Sequence, residues 1–246
     1  MPARMPARTP LRAAAFTLVL AATTACGQGD GDPESTGTAT PPTSSPTDAS
    51  PTASASPPAF ASRVRRVERD ELPHSWRPGC PVPVSGLRMI EMTYWGMDDK
   101  AHPNGKLVVN ASAADDLVGV FRKLYDDRYP IKRMEPVDVY RGDDFDSIEA
   151  NNTSAFNCRN ATGSGNWSQH AYGLAVDINP CENPYVTAAG RVAHDDCVKF
   201  RDRDRDDPGV IHAGDNVVRA FRSIGWGWGG TWSGTKDYQH FSSSGR

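Results

Sequence analysis

The sequence has no excess of positive charge: 27 Lys and Arg stand against 30 Asp and Glu, a formal net charge of −3. No basic stripe is available to track a phosphate backbone, so nucleic acid is excluded as a partner. Long apolar runs are also missing. Ala13 to Ala22 is too short to span a bilayer as a stable helix. No two cysteines stand as Cys-x-x-Cys, which argues against a cysteine zinc site. No Gly-x-Ser-x-Gly elbow is present, so Ser168, His170 and Asp177 do not read as a hydrolase triad. Asp202, Asp204, Asp206 and Asp207 lack the spacing and glycine of a calcium loop and read as a solvated charged loop. Gly225, Gly227 and Gly230 formally match a dinucleotide fingerprint, but they follow a helical pattern rather than a strand. No internal repeat is visible.

What is present falls into three parts. Residues 1–26 read as an export signal, with Arg4, Arg8 and Arg12 before the short apolar run. The run ends in Thr23-Thr24-Ala25-Cys26-Gly27, which resembles a bacterial lipoprotein box with Thr23 where leucine is usual. Cys26 is the expected lipidation site, and the lipid the expected membrane anchor. An ordinary secretory signal is the alternative. Both place the domain outside the cell, either on the outer face of the cytoplasmic membrane and wall or secreted. Residues 27–59 are rich in Pro, Thr, Ser, Ala and Gly, cannot bury a core, and read as a tether. Residues 60–246 form the expected folded domain.

Four cysteines remain after Cys26: Cys80, Cys158, Cys181 and Cys197. An even number in an exported chain points to two disulfides, which also makes Cys158 a poor candidate nucleophile. Three pairings are possible. Cys181–Cys197 with Cys80–Cys158 is favoured, because the first would tie down the long polar loop 181–208.

Hydrophobic periodicity places strands at Leu87–Tyr94, Lys106–Asn110 and Ile131–Val137. It places a helix over Asp115–Tyr125, capped by Ser112, and another over Asn216–Ile224, ended by Gly225. A short helix is expected at Asp143–Asn151, with a turn-rich segment from Asn152 to Asn166. His74, His102, His194 and His212 have no partner pattern and read as structural. Trp226, Trp228 and Trp232 read as core, with a saccharide platform as the alternative.

The chemistry concentrates in two stretches. In Ser168-Gln169-His170-Ala171-Tyr172-Gly173-Leu174-Ala175-Val176-Asp177, a glycine turn and a short strand bring an imidazole and a carboxylate together. Leu174, Val176 and Ile178 form the core face. Gly173, Ala175 and Asp177 form a bare face with room for an ion. The second stretch, Lys236-Asp237-Tyr238-Gln239-His240-Phe241, supplies another histidine, with Asp237 on the same side only if the backbone turns between them. Two nitrogens and one carboxylate oxygen suit zinc, with the fourth position left for water. Asp237 is then the candidate general base.

Ser-x-His-x-x-Gly-x-Ala-x-Asp followed by Trp-Gly-Gly-x-Trp and Asp-x-x-His-Phe resembles the D-alanyl-D-alanine carboxypeptidase metallopeptidases, peptidase family M15. The likeness runs from about Leu87 to Phe241. It implies an α+β fold: a small, mainly antiparallel sheet with packed helices and a surface zinc site. It implies zinc ligands His170, Asp177 and His240, and a catalytic acid at Asp237, where many members carry glutamate. It further implies an arginine that steadies substrate and transition-state charge. Arg159 is the first choice and Arg141 the second, while Ser168 caps its turn or touches substrate. The implied substrate is a peptidoglycan stem peptide, cleaved as a D-Ala-D-Ala carboxypeptidase would. An L-Ala-D-Glu wall endopeptidase and a catalytically silent, zinc-stabilised wall-binding module are the alternatives.

Overall fold

The structure is a computed structural model, and it describes residues 58–246. The export signal, Cys26 and the tether up to residue 57 lie outside the described residues. The chain enters at Pro58, where Phe60 packs against Tyr125 and under the Arg122 guanidinium.

A four-stranded sheet forms the body. Strand β1 (Ser62–Arg66) pairs antiparallel with β2 (Leu87–Gly96), which pairs antiparallel with β3 (Ala101–Asn110). Helix α1 (Ala114–Asp126) follows, and β4 (Pro130–Ile131) returns parallel to the end of β2. Strand alternation divides the apolar residues between two cores. Ile90, Met92 and Tyr94 of β2 and Leu107 and Val109 of β3 meet Leu117, Val120, Phe121 and Leu124 of α1. Leu87, Met89 and Val108 face the other way, onto Val67, Leu72, Phe156 and Cys158. The Cys80–Cys158 disulfide closes this second core.

The rest of the chain is built from very short pieces. Strand β5 (Arg133–Met134) runs parallel to β6 (Asn152–Thr153), with α2 (Asp144–Glu149) between them in sequence. A second sheet is formed by β7 (Ala175–Asp177), β9 (Gly227–Trp228) and β11 (His240–Ser242), with β11 in the centre and both pairings antiparallel. Strand β8 (Tyr185–Val186) pairs antiparallel with β10 (Lys236–Asp237). Helix α3 (Asn216–Arg222) is capped by Asp215 and packs Val217, Val218 and Phe221 into the main core. Phe221 stacks on Phe241 with ring centroids 4.1 Å apart, which joins the second sheet to the body. The architecture is α+β and mainly antiparallel.

Several sequence expectations need correction. The strand expected over Ile131–Val137 is split, because the Lys132 N–H donates to Asn179 Oδ1 instead of a neighbouring strand. Ser112 does not cap α1. Asn110 caps a preceding 3-10 turn, Ala111–Ala113, by accepting from the Ser112 N–H. The segment expected to be turn-rich, Asn152–Asn166, begins as buried chain, residues 151–158 being all buried, and turns only after them. Its polar side chains are bonded inward, as where Asn152 Nδ2 donates to the Glu135 carbonyl and to Ser147 Oγ. The charged loop 181–208 is not wholly solvated either. Arg203 turns inward and donates to the carbonyls of Glu182, Phe200 and Ile211 and to Asn183 Oδ1, with its guanidinium 4.3 Å above the Tyr238 ring. The Cys181–Cys197 disulfide closes the first part of this loop.

Candidate metal centre and active site

His170 sits on a single 3-10 turn, Gln169–Tyr172. Ser168 caps that turn, its Oγ accepting from the His170 N–H at 3.3 Å. Gly173 ends it in the left-handed region, φ +66°. A Cβ on Gly173 would stand 2.5 Å from the Asn110 amide nitrogen. The glycine is therefore there to bring the turn against the end of β3, where the Asn110 N–H donates to the Gly173 carbonyl. It does not form part of an ion pocket, contrary to the expectation that Gly173 contributes to a bare face. Ala175 and Asp177 follow on β7, while Val176 and Ile178 enter the core as expected.

Pairing of β7 with β11 sets Asp177 directly opposite His240, so both side chains leave the sheet on one face. His170 folds over the same face. Its Nε2 lies 3.1 Å from Asp177 Oδ2, and His240 Nδ1 lies 3.0 Å from Asp177 Oδ1. The two ring nitrogens are 3.2 Å apart. Donor atoms of all three residues fall within 4.8 Å of one another, and all three residues are buried. His170 Nδ1 donates to the Ala155 carbonyl at 2.5 Å, which fixes the ring with Nε2 turned toward Asp177. The cluster is a donor set able to hold a metal ion.

Asp237 reaches the site by the backbone turn that its spacing requires. Lys236–Asp237 pairs with β8, Tyr238 and Gln239 bend, and His240 then joins the central strand of the second sheet. Gly229 makes the approach possible, since a Cβ there would lie 2.5 Å from the Asp237 carbonyl oxygen. Tyr238 is fixed from behind, its carbonyl accepting from Trp228 Nε1.

Charge and burial compete in this cluster. Burial opposes ionisation of Asp177, yet the charges and hydrogen bonds of His170 and His240 hold its carboxyl far below the usual carboxylate range. Burial likewise works against protonating His240, but Asp177 raises its proton affinity above the ordinary imidazole value. Asp237 is pushed up to about 7, first by burial and then by Asp177, against the pull of His240. Three buried polar atoms here lack a protein partner among the described residues: Asp237 Oδ1, Gln239 Oε1 and His240 Nε2. Buried polar groups are ordinarily bonded, so this segment is suited to partners supplied by something other than the chain itself.

A cavity of about 560 Å³ opens above the cluster. Arg159 lines it, held through Nε by Asp144 Oδ1 at 2.9 Å. Arg141, the second choice, is exposed at the end of the Val137–Tyr140 turn and is absent from the cavity wall. Ser168 reaches the wall as well as capping its turn. Trp226 and Trp228 are core, but Trp232 lines the cavity, its ring 5.5 Å from that of His240. Sequence reasoning missed Gln239 and His194 on the same wall. Gln239 stands inside the Asp-x-x-His stretch and was findable there. His194 carries no local signal.

The fold and the donor set together define an α+β domain with a buried His–Asp–His centre at the floor of a cavity. Residues 162–243 match the family model described as D-alanyl-D-alanine carboxypeptidase, so this segment is similar to that family. The matched segment contains His170, Asp177, Asp237 and His240; Arg159 lies just before it. No curated protein and no solved structure matches the chain.

Proposed function

We propose that the protein hydrolyses peptide bonds in peptidoglycan stem peptides with a zinc ion, acting as a D-Ala-D-Ala carboxypeptidase. The observation that carries this reading is convergence in one cavity of the His–Asp–His centre, Asp237 and Arg159. Zinc with ligands at about 2.0–2.1 Å in tetrahedral array separates its donor atoms by about 3.3 Å. The His170 Nε2–His240 Nδ1 separation of 3.2 Å is close to that edge, and each nitrogen faces its own oxygen of Asp177, at 3.1 and 3.0 Å. When bound by His170, Asp177 and His240, the ion supplies Lewis acidity toward a carbonyl oxygen and a water.

The chain's own groups supply the rest. Asp237, held beside the cluster with an unpartnered carboxylate oxygen, takes a proton from the attacking water and returns it to the leaving amine. Arg159 faces the negative charge that develops on the carbonyl oxygen, and Asp144 keeps its guanidinium in place. Asp237 and Arg159 in one cavity favour an enzyme over a silent zinc-stabilised module. A lipid on Cys26 and the tether of residues 27–59 would hold the domain at the membrane face of the wall, where such peptides occur.

The test is incubation of the purified full chain with a stem pentapeptide, with and without a chelator. Release of D-alanine that is lost on chelation is the expected result. Intact peptide at one zinc per chain would refute it. Elemental analysis is expected to find no zinc in His240→Ala.

A further inference from the structure

The cavity wall carries a histidine that the proposed reaction does not use. His194 is buried, lines the cavity, and approaches Glu149 Oε2 through Nδ1 at 2.5 Å. Its ring lies 4.3 Å from that of Phe145. Phe145 and Glu149 are four apart on α2 and so share one face of that helix. One residue before Phe145, Asp144 grips Arg159. The short helix α2 thus holds Arg159 and His194, one by each of two carboxylates. The wall that carries His194 is the segment closed by the Cys181–Cys197 disulfide.

Nothing in this arrangement uses the far side of the imidazole. With Nδ1 turned to Glu149, Nε2 enters no hydrogen bond among the described residues. An imidazole set between two carboxylates donates to both, from Nδ1 to one and from Nε2 to the other. Such a group suits a second carboxylate, presented from the cavity.

We infer that the Glu149–His194 pair is an anion subsite: His194 Nε2 binds a side-chain carboxylate of an acidic peptide whose scissile bond lies near Arg159 and Asp237. Phe145, 54% exposed at the cavity rim, packs against the flank of the same ring. This inference deepens the peptidase reading and rests on it for the identity of the ligand. The chemistry it adds is preference for a free carboxylate over the corresponding amide.

The test uses two stem peptides that differ only in whether that side chain is a free acid or a primary amide. Binding is measured by titration calorimetry to the zinc-loaded full chain carrying Asp237→Asn, which separates binding from turnover. The acid peptide is expected to bind about tenfold more tightly than the amide. Adding His194→Ala or His194→Gln is expected to bring the ratio close to one, and Glu149→Gln to reduce it. Equal affinity for both peptides before His194 is changed, or binding of neither, overturns the inference. So does an unchanged ratio in both His194 variants with the thermal transition intact. Hydrolysis is followed separately in the wild type. A chain that binds with the expected ratio but cleaves neither peptide counts against the peptidase reading alone.

Discussion

The body and the site half of this domain are held by different forces. In the body, β2 and β3 run ten residues each and α1 thirteen, so every element buries a continuous apolar face. In the site half, strands β7 to β11 are two or three residues long and cannot bury enough to stand alone. Their positions come from directional contacts: the Cys181–Cys197 disulfide, the Arg203 hub, the Asn179 and Asn183 side chains, and the pairing of Asp177 with His240. The contrast teaches that a close His–Asp–His cluster can be built from almost no regular structure, provided a conventional core lies beneath it. Phe241 shows the join, buried in the main core one residue after His240.

This contrast is open to attack by mutation. Asp237→Asn is expected to lower kcat by about 10²–10⁴ while leaving the thermal transition in place, read by D-alanine release and calorimetry. A loss of zinc in that variant would show that the residue holds metal rather than moves protons. Leu117→Ala, deep in the body, is expected to cost about 2–5 kcal/mol of stability with kcat unchanged per folded molecule. Opening the Cys181–Cys197 loop by paired alanine substitution is expected to cost about 3 kcal/mol. It should also weaken binding at the His194 wall, which Leu117→Ala should not do. Equal effects of the two changes on stability and on binding would erase the distinction between the halves.

The smallest expected effect is electrostatic and lies at the edge of the body. Arg65 hydrogen-bonds Glu71 through two nitrogens and lowers its pKa from 4.5 to about 2. A depressed carboxylate contributes stability that is fully present above about pH 4.5 and lost as pH falls toward 2. The melting-temperature gap between wild type and Glu71→Gln is therefore expected to be small and constant above pH 5, and to close in acid. Both side chains are partly exposed, so salt should shrink the gap as well. A gap that survives at pH 2 would remove Glu71 from the account.

The body was the more legible half in the sequence. Its long strands and helix repeat apolar residues often enough to show their period, as Leu117, Phe121 and Leu124 do. Its boundaries were less legible, because Asn110 and Lys132 use side-chain and loop partners that no periodicity reveals. In the site half, motif spacing and the short strand at Asp177 brought out His170, Asp177, Asp237 and His240, although β8 to β11 are too short to show a period. Arg203 and His194 were not legible. Both lie in a polar stretch whose charges resemble a solvated loop until the fold turns one guanidinium inward and one imidazole toward the cavity.

Sequence alone determined which residue types were available for chemistry, that strand alternation would send Val176 and Ile178 to the core, and that an even cysteine count would favour two bridges. Only the tertiary structure decided which groups meet. Asp177 and His240 become neighbours because two three-residue strands pair in one register, and a shift of one residue would turn His240 away. Gly173 proved to serve a backbone contact with β3 rather than a space for an ion. The physical reason is range: periodicity and turn chemistry act over a few residues, whereas the centre joins positions 170, 177 and 240 through long-range packing.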